Sequence, residues 1–360
     1  MLYINPNSIN VQAAEELHYQ RMRCYIRRKL GMPDCDDPNC VITKSRIESI
    51  DNPFPEISNF LGDDQKLSMV LRGMPRELYK VNRAFWIGIF NNSYDYSIWL
   101  TYFKRDQGDL QPNGQAQQLI QNADAVWTRE IAAQLKDILN YKWFSSKSQV
   151  KYNAYDLTKA LGRDTCTYCN RSYTHTIIRD EDNKLVIRPT LDHWFPKYNH
   201  PLLAVSFYNL IPSCPTCNSY VKGTSNPDID EMIHPYLDPT QTSDFEFAFF
   251  FKDSTDGYEI FVRNLSLFNE KAKKTLETMQ MGLVYGAHES ELKDLLIIQK
   301  NYTGSYIKSL KKLLDGNLST SEVYRIAFGT EHEEKNFYKR PLSKFKHDIL
   351  KQLGLLQIEN

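Results

Sequence analysis

The fold is decided by the stretch that begins with Cys166-Thr-Tyr-Cys169 and ends with Cys214-Pro-Thr-Cys217-Asn218. Each Cys-x-x-Cys pair can turn two sulfur atoms toward one centre, and four thiolates complete a tetrahedral zinc site. Because all four positions would be thiolates, no position is left open for a substrate. The spacing therefore predicts a structural zinc rather than a catalytic one.

The dipeptide Asp192-His193 lies between the two cysteine pairs, and Asn218 follows the last cysteine directly. A neutral imidazole has the unperturbed pKa that suits removal of a proton from water near neutral pH. The oxygens of Asp192 and Asn218 suit Mg²⁺ or Mn²⁺, which keeps other positions for water and phosphate oxygens. These residue types together predict metal-assisted phosphodiester hydrolysis, which must also stabilise the departing 3′ oxygen.

The charge of the whole chain is balanced, with 44 basic and 44 acidic residues. Bulk charge therefore cannot hold a nucleic acid, and a local patch or a partner must supply the phosphate contacts. Basic residues do outnumber acidic ones between positions 147 and 223. We expect the nucleic acid there, with Arg171, Lys197 and Lys222 as candidate phosphate contacts. The alternative is that these are ordinary surface side chains.

Periodicity predicts a mainly α-helical protein with an embedded α+β module. Residues 1–150 form a helical N-terminal region whose last segment, Ala116 to Trp143, reads as one long amphipathic helix. Residues 151–240 form the metal-binding module. Residues 241–360 form a hairpin, with strands near 245–251 and 258–262, followed by helices.

Within the module, Ser172 to Ile178 and Leu185 to Leu191 alternate polar and β-forming residues around a polar turn. This pattern predicts a hairpin whose second strand delivers Asp192 and His193 at its end. Another strand is expected at Phe207 to Ile211, followed by a short helix that begins at Cys214 and ends at Val221.

The number and spacing of the cysteines and the hydropathy of the chain indicate the cellular compartment. The chain has seven cysteines, an odd number, and four of them have metal-type spacing, which favours a reducing cytoplasm over a disulfide framework. No run of 18 apolar residues and no basic-then-apolar leader occurs in the sequence. We therefore expect a cytoplasmic protein with no membrane contact.

The segment from Cys166 to Gly223 resembles HNH endonucleases of the ββα-metal fold, in their zinc-knuckle form. The resemblance implies that Asp192 is a metal ligand, His193 the general base and Asn218 the second metal ligand. It also implies that Asn209 holds the loop that orients His193, and that the four cysteines hold zinc. The resembling segment covers less than a fifth of the 360 residues.

Flanking motifs narrow the resemblance to the HNH nuclease subunits of Septu and retron-type anti-phage defence systems. These motifs include Asp192-His-Trp-Phe-Pro-Lys197 and His234-Pro-Tyr-Leu-Asp238. Such subunits work beside an ABC-type ATPase, and this sequence contains no Gly-x-x-x-x-Gly-Lys-Ser/Thr loop of its own. The resemblance implies a metal-dependent endonuclease, acting on DNA, with a separate ATPase partner or a homo-oligomeric state.

Two other functions stay open at the level of sequence. A zinc-stapled adaptor that binds nucleic acid or protein without cutting would explain the four cysteines, but not the order Asp-His, Asn, Asn. An RNase toxin would use the same site on a different substrate, and the residues do not distinguish DNA from RNA.

Overall fold

The computed structural model describes most of the chain. The described residues are 1–33, 47–89, 123–147, 152–223, 225–242, 244–252, 257–265, 270–301, 309, 312–313 and 318–356. Across these residues the protein is mixed, with helices and three two-stranded antiparallel sheets. None of the described helices is long and apolar enough to cross a membrane.

Helices dominate the described residues that precede the first cysteine pair. In chain order they are α1 (Ile9–Lys29), α2 (Pro55–Leu61), α3 (Asp64–Arg72), α4 (Pro75–Ile89), α5 (Ala123–Ile138), α6 (Tyr141–Ser145) and α7 (Ala154–Leu161). Of the long helix predicted from Ala116 to Trp143, residues 116–122 lie outside the described residues. The described part is interrupted, because Asn140 leaves the helical conformation and caps α6. Its side-chain oxygen accepts a hydrogen bond from the Trp143 amide at 2.8 Å.

The strands of the central module differ from the prediction in one important respect. The hairpin β1 (Ile177–Arg179) and β2 (Lys184–Ile187) is present, but β2 does not carry Asp192 and His193. Those residues lie on a separate strand, β3 (Thr190–His193). Pro189 lies between β2 and β3 and has no amide hydrogen to donate, which accounts for the break.

β3 pairs with β4 (Leu210–Ser213) in an antiparallel register that places Asp192 opposite Ile211. The strand predicted at Phe207 to Ile211 was wrong at its start, since 207–209 form a 3₁₀ turn and β4 begins at Leu210. The helix after Cys214 is present as a single wide π-type turn, Thr216–Val221. Strand, loop, strand and short helix thus follow one another around the predicted site.

The C-terminal part has the predicted hairpin, β5 (Phe245–Lys252) with β6 (Gly257–Asn264). The helices bounded within its described residues are α8 (Glu270–Thr278), α9 (Met281–Gly286), α10 (Glu289–Asn301), α11 (Thr320–Phe328) and α12 (Ser343–Gln352). The hairpin is tied to α12 by buried polar contacts. The Phe247 amide donates to Asp348 at 3.0 Å, and the Lys344 ammonium donates to the Phe245 carbonyl oxygen at 2.9 Å.

One buried apolar core runs through all three predicted regions, so the module is packed between its flanks. Asn170, in the first cysteine pair's turn, connects the module to the C-terminal part. Its backbone has a positive φ of 52°, and its side-chain Nδ2 donates to the carbonyl oxygens of Phe337 and Arg340 at 2.9 and 3.1 Å. Only a few residue types adopt this backbone conformation at low cost, and asparagine is one of them.

We predict that Asn170→Ala lowers the free energy of unfolding by about 3 kcal/mol, because it loses buried hydrogen bonds and strains the backbone. Asn183→Ala is the matched control, since Asn183 also has a positive φ but lies exposed in the β1–β2 turn. It should cost only about 1 kcal/mol. Urea unfolding of the two variants measures the difference, and equal losses would contradict the linking role of Asn170.

Candidate metal centre and catalytic cleft

The four cysteines of the two Cys-x-x-Cys pairs converge on one point. Their sulfur atoms all lie within 4.8 Å of one another, and all four side chains are buried. With zinc–sulfur bonds of about 2.3 Å, a tetrahedral zinc separates its sulfur ligands by about 3.8 Å. The Cys169 and Cys214 sulfur atoms are 4.0 Å apart. The cluster therefore fits a metal such as zinc.

The backbone around the cysteines favours thiolate. The Arg171 amide donates to Cys169 Sγ and the Cys217 amide to Cys214 Sγ, each at 3.4 Å. The neighbouring thiols lower the pKa of Cys214, whereas burial raises the pKa of Cys166. Thiolate is the form that binds a metal, and two backbone amides are placed to stabilise it.

The cysteine cluster holds the strand that carries Asp192. The Thr167 amide donates to the Pro212 carbonyl oxygen of β4 at 3.2 Å, which ties the first cysteine pair to the β3–β4 sheet. Between the same two cysteines, the Tyr168 hydroxyl donates to Asp192 Oδ2 at 2.5 Å. Burial raises the pKa of Tyr168 well above its usual value, and the Asp192 carboxylate adds to that effect. Tyr168 therefore stays protonated and remains a donor.

The Asp192 carboxylate is buried, with only 5% of the residue exposed, and it has a cationic partner. Lys222 Nζ lies 2.8 Å from Asp192 Oδ2 and 3.1 Å from Oδ1, and it also donates to the His193 carbonyl oxygen at 2.6 Å. Lys222 is 7% exposed. Its ammonium group thus neutralises Asp192 from within the protein, instead of standing on the surface as a phosphate contact.

His193 is held in a single tautomer. Its Nε2 lies 2.8 Å from the Ala204 carbonyl oxygen, and because a carbonyl only accepts, Nε2 must carry the hydrogen. The other ring nitrogen, Nδ1, is then left without a proton and can act as a base. Burial, with a further contribution from Lys197, lowers the pKa of His193 to about 3, so the imidazole is neutral at physiological pH.

Asn209 fixes the loop that supports His193. Its Oδ1 accepts from the Phe195 amide at 2.7 Å, and its Nδ2 donates to the carbonyl oxygens of Phe195 and Leu203 at 3.0 and 2.9 Å. Leu203 directly precedes Ala204, the residue that accepts from the His193 ring. Asn209 is fully buried, so it acts on the position of the loop and not on a bound substrate.

A cleft of about 300 Å³ brings the predicted residues together. Asp192, His193, Asn218, Lys197 and Lys222 all contribute to its lining. Arg171 is not part of this lining. Its guanidinium donates to the Val284 carbonyl oxygen in α9 at 2.7 Å, and therefore faces the C-terminal part of the protein.

Three further residues of the cleft and its support were not singled out by the sequence. Tyr141 contributes its ring, which meets the His193 ring edge-on at 4.4 Å between centroids, and Arg188 adds a cation to the lining. Tyr168 is the third, through its contact with Asp192. Tyr168 had a local signal, its place inside a Cys-x-x-Cys pair, and Arg188 lies in the basic stretch between positions 147 and 223. Tyr141 comes from the helical N-terminal region, so only the folded chain brings it to His193.

Lys197 lies beside Tyr141 at the cleft wall, with its ammonium 4.6 Å from the centre of the Tyr141 ring. Burial lowers the pKa of Lys197, and Asp192 opposes that effect. Together with Arg188 and Lys222, Lys197 gives the lining three cations against the single Asp192 carboxylate. The cleft therefore has a net positive charge that favours an anionic group.

Comparison with known proteins finds one informative similarity. Over 78 residues the chain is 32% identical to the Septu protein PtuB of Bacillus thuringiensis. That match covers 22% of this chain and 26% of PtuB, so it spans about a quarter of the relative's length. No protein-family model matches the chain, and no solved structure matches it.

We predict that the purified protein contains one zinc per chain, and that Cys169→Ser or Cys217→Ser gives poorly folded protein. Structural zinc sites contribute on the order of 10 kcal/mol to the folding of small domains. Cys24→Ala is the matched control, because Cys24 is also buried but lies on α1 outside the cluster. Metal analysis and far-UV circular dichroism test this. Well-folded wild-type protein without zinc would refute the site.

Proposed function

We propose that this protein is a metal-dependent endonuclease that hydrolyses phosphodiester bonds, with DNA as its substrate. The observation that supports this most directly is the state of His193. A neutral imidazole with its Nε2 hydrogen engaged by Ala204 keeps Nδ1 as a proton acceptor, beside the Asp192 carboxylate and in a positively charged cleft. These are the groups that hydrolysis of an anionic ester requires.

In the proposed reaction, His193 removes a proton from the attacking water, and the Ala204 carbonyl oxygen stabilises the imidazolium that results through the Nε2 hydrogen. Tyr141 and the Asn209-braced loop hold the ring in place. Lys197 and Arg188 bind the nonreacting phosphate oxygens, since both line the cleft. Proton removal by a positioned base contributes about 10²- to 10⁴-fold to the rate.

Asp192 and Asn218 supply a carboxylate and an amide oxygen to the same cleft, a donor set that suits Mg²⁺ or Mn²⁺. When bound there, the ion would neutralise charge on the phosphate and stabilise the departing 3′ oxygen. The Lys222 ammonium now occupies both oxygens of Asp192. A second cation at this carboxylate must therefore share it with Lys222 or displace Lys222.

The similarity to a Septu protein supports a role in anti-phage defence. In that setting we propose that the chain works with a separate ABC-type ATPase or as a homo-oligomer. The lining offers only a few cations, and non-specific affinity for DNA scales with the number of phosphates neutralised. Weak binding by the chain alone would leave control of cleavage to such a partner.

We predict that His193→Ala reduces cleavage by about 10²-fold or more, because no other base replaces Nδ1. The assay incubates plasmid DNA and total RNA separately with the protein, with and without Mg²⁺ or Mn²⁺. His175→Ala is the matched control, since His175 is exposed and pairs with Asp164 away from the cleft. Its activity should equal that of the wild type.

The same assay separates the three functions. Cleavage of DNA that depends on His193 supports the proposal, and cleavage of RNA alone would identify an RNase. Undiminished cleavage by the His193→Ala variant would contradict the assignment of His193 as the general base. Absence of cleavage of either substrate by protein with its zinc content intact would favour the non-catalytic adaptor.

We further predict that Lys222→Met lowers the free energy of unfolding by about 3 kcal/mol without divalent ions, because Asp192 becomes a buried and uncompensated charge. Added Mg²⁺ should then raise the melting temperature of the variant by more than that of the wild type. Lys159→Met, at an exposed position of α7, is the control. Equal responses to Mg²⁺ in all three proteins would contradict metal binding at Asp192.

A further inference from the structure

A second cavity, of about 640 Å³, lies between the start of α1 and the turn Glu334–Lys339. It is also lined by the segment Leu2 to Asn5 and by Arg163. At about 30 Å³ per water molecule it has room for about 20 waters, which places it within the size range of small-molecule sites. It shares no lining residue with the catalytic cleft.

Arg163 gives this cavity a cation that forms no ion pair within the described residues, although Asp164 acts on it from beyond ion-pair distance. Its guanidinium carbon lies 4.3 Å from the centre of the Tyr338 ring, and its Nη2 is 3.5 Å from the Tyr3 carbonyl oxygen. Its Nε is buried without a hydrogen-bond partner, and no ion pair joins Arg163 to an acidic residue in the described parts of the chain. Burial lowers the pKa of Arg163 to about 10, so it is still protonated at neutral pH.

The N-terminus of α1 adds a second positive element. Ser8, Asn10 and Val11, at the start of this 21-residue helix, all line the cavity. The Ser8 hydroxyl does not cap the helix but donates to the Asn5 carbonyl oxygen at 2.9 Å, and the first turn holds no acidic residue. The first-turn amides have no intrahelical acceptor, and the helix dipole makes this end favourable for an anion.

The remaining side chains of the lining suit an organic anion. The lining carries two basic side chains, Arg163 and Lys335, and one acidic side chain, Glu334. Lys335 itself is exposed and pairs with Glu333 at 2.7 Å. The amides of Asn5 and Asn336 offer donors and acceptors along the wall. A free phosphate would leave most of the 640 Å³ to water.

We propose that this cavity binds a nucleoside phosphate. The phosphate is held by Arg163 and the first-turn amides of α1, and the base and sugar occupy the volume beside Tyr3, Asn5 and Asn336. This inference does not depend on the proposed hydrolysis, because the cleft and the cavity are separate. It would give the protein a site at which a small nucleotide stabilises the contact between its N-terminal and C-terminal parts.

Isothermal titration calorimetry of the full chain, without added divalent ions, tests the proposal with AMP, GMP, inorganic phosphate and adenosine as probes. We expect at least one nucleotide to bind more tightly than both phosphate and adenosine. Asn10→Glu should weaken that binding by about tenfold or more, because it places a carboxylate beside the phosphate. The same substitution puts an acid in the first turn of α1, where it favours the helix, so folding is preserved.

Asn10→Gln is the matched control and should bind as the wild type does, whereas Arg163→Met should weaken binding about as much as Asn10→Glu. Wild-type protein that binds none of the probes would overturn the proposal. Equal affinity for phosphate and the nucleotides would overturn the nucleoside assignment. Nucleotide binding that Asn10→Glu leaves unchanged would place the ligand elsewhere and would also overturn it.

Discussion

The convergence of four cysteine sulfur atoms within 4.8 Å is the constraint on which the rest of the site depends. It joins the turn at Cys166–Cys169 to the start of the short helix after Cys214, two segments more than 40 residues apart in sequence. The first turn then supplies Tyr168 to Asp192. The short helix supplies Asn218, and the residue that follows the helix, Lys222, lines the same cleft. We therefore expect a substitution of any of the four cysteines to alter the position of Asp192.

The site balances two requirements that oppose each other. Burial keeps the His193 imidazole neutral but makes it a weaker proton acceptor than an exposed imidazole. Burial also holds Asp192 in place, but a buried carboxylate without a partner is costly. Lys222 and Tyr168 remove that cost by contacting both oxygens of Asp192. Both oxygens of the carboxylate are thus held by protein groups, so a metal ion at this position would compete with Lys222.

Local spacing predicts the parts of this structure that depend on residues near one another in sequence. The cysteine cluster and the β5–β6 hairpin follow from the Cys-x-x-Cys pairs and from alternation of apolar residues. The break between β2 and β3 at Pro189 could have been predicted from the sequence, because proline interrupts a strand. The burial of Lys222 against Asp192 and the approach of Tyr141 to His193 were not, since both depend on contacts across 30 to 52 residues. Arg171 was expected beside a phosphate and instead contacts α9, for the same reason.

The central claim is that His193 activates a water against a phosphodiester whose 3′ oxygen departs. End-group analysis of the products tests it most directly, using a labelled DNA duplex and a labelled RNA incubated with the zinc-loaded protein and Mg²⁺ or Mn²⁺. The account predicts products with 5′-phosphate and 3′-hydroxyl ends. Products with 3′-phosphate or 2′,3′-cyclic phosphate ends, or no products from either substrate, would contradict it.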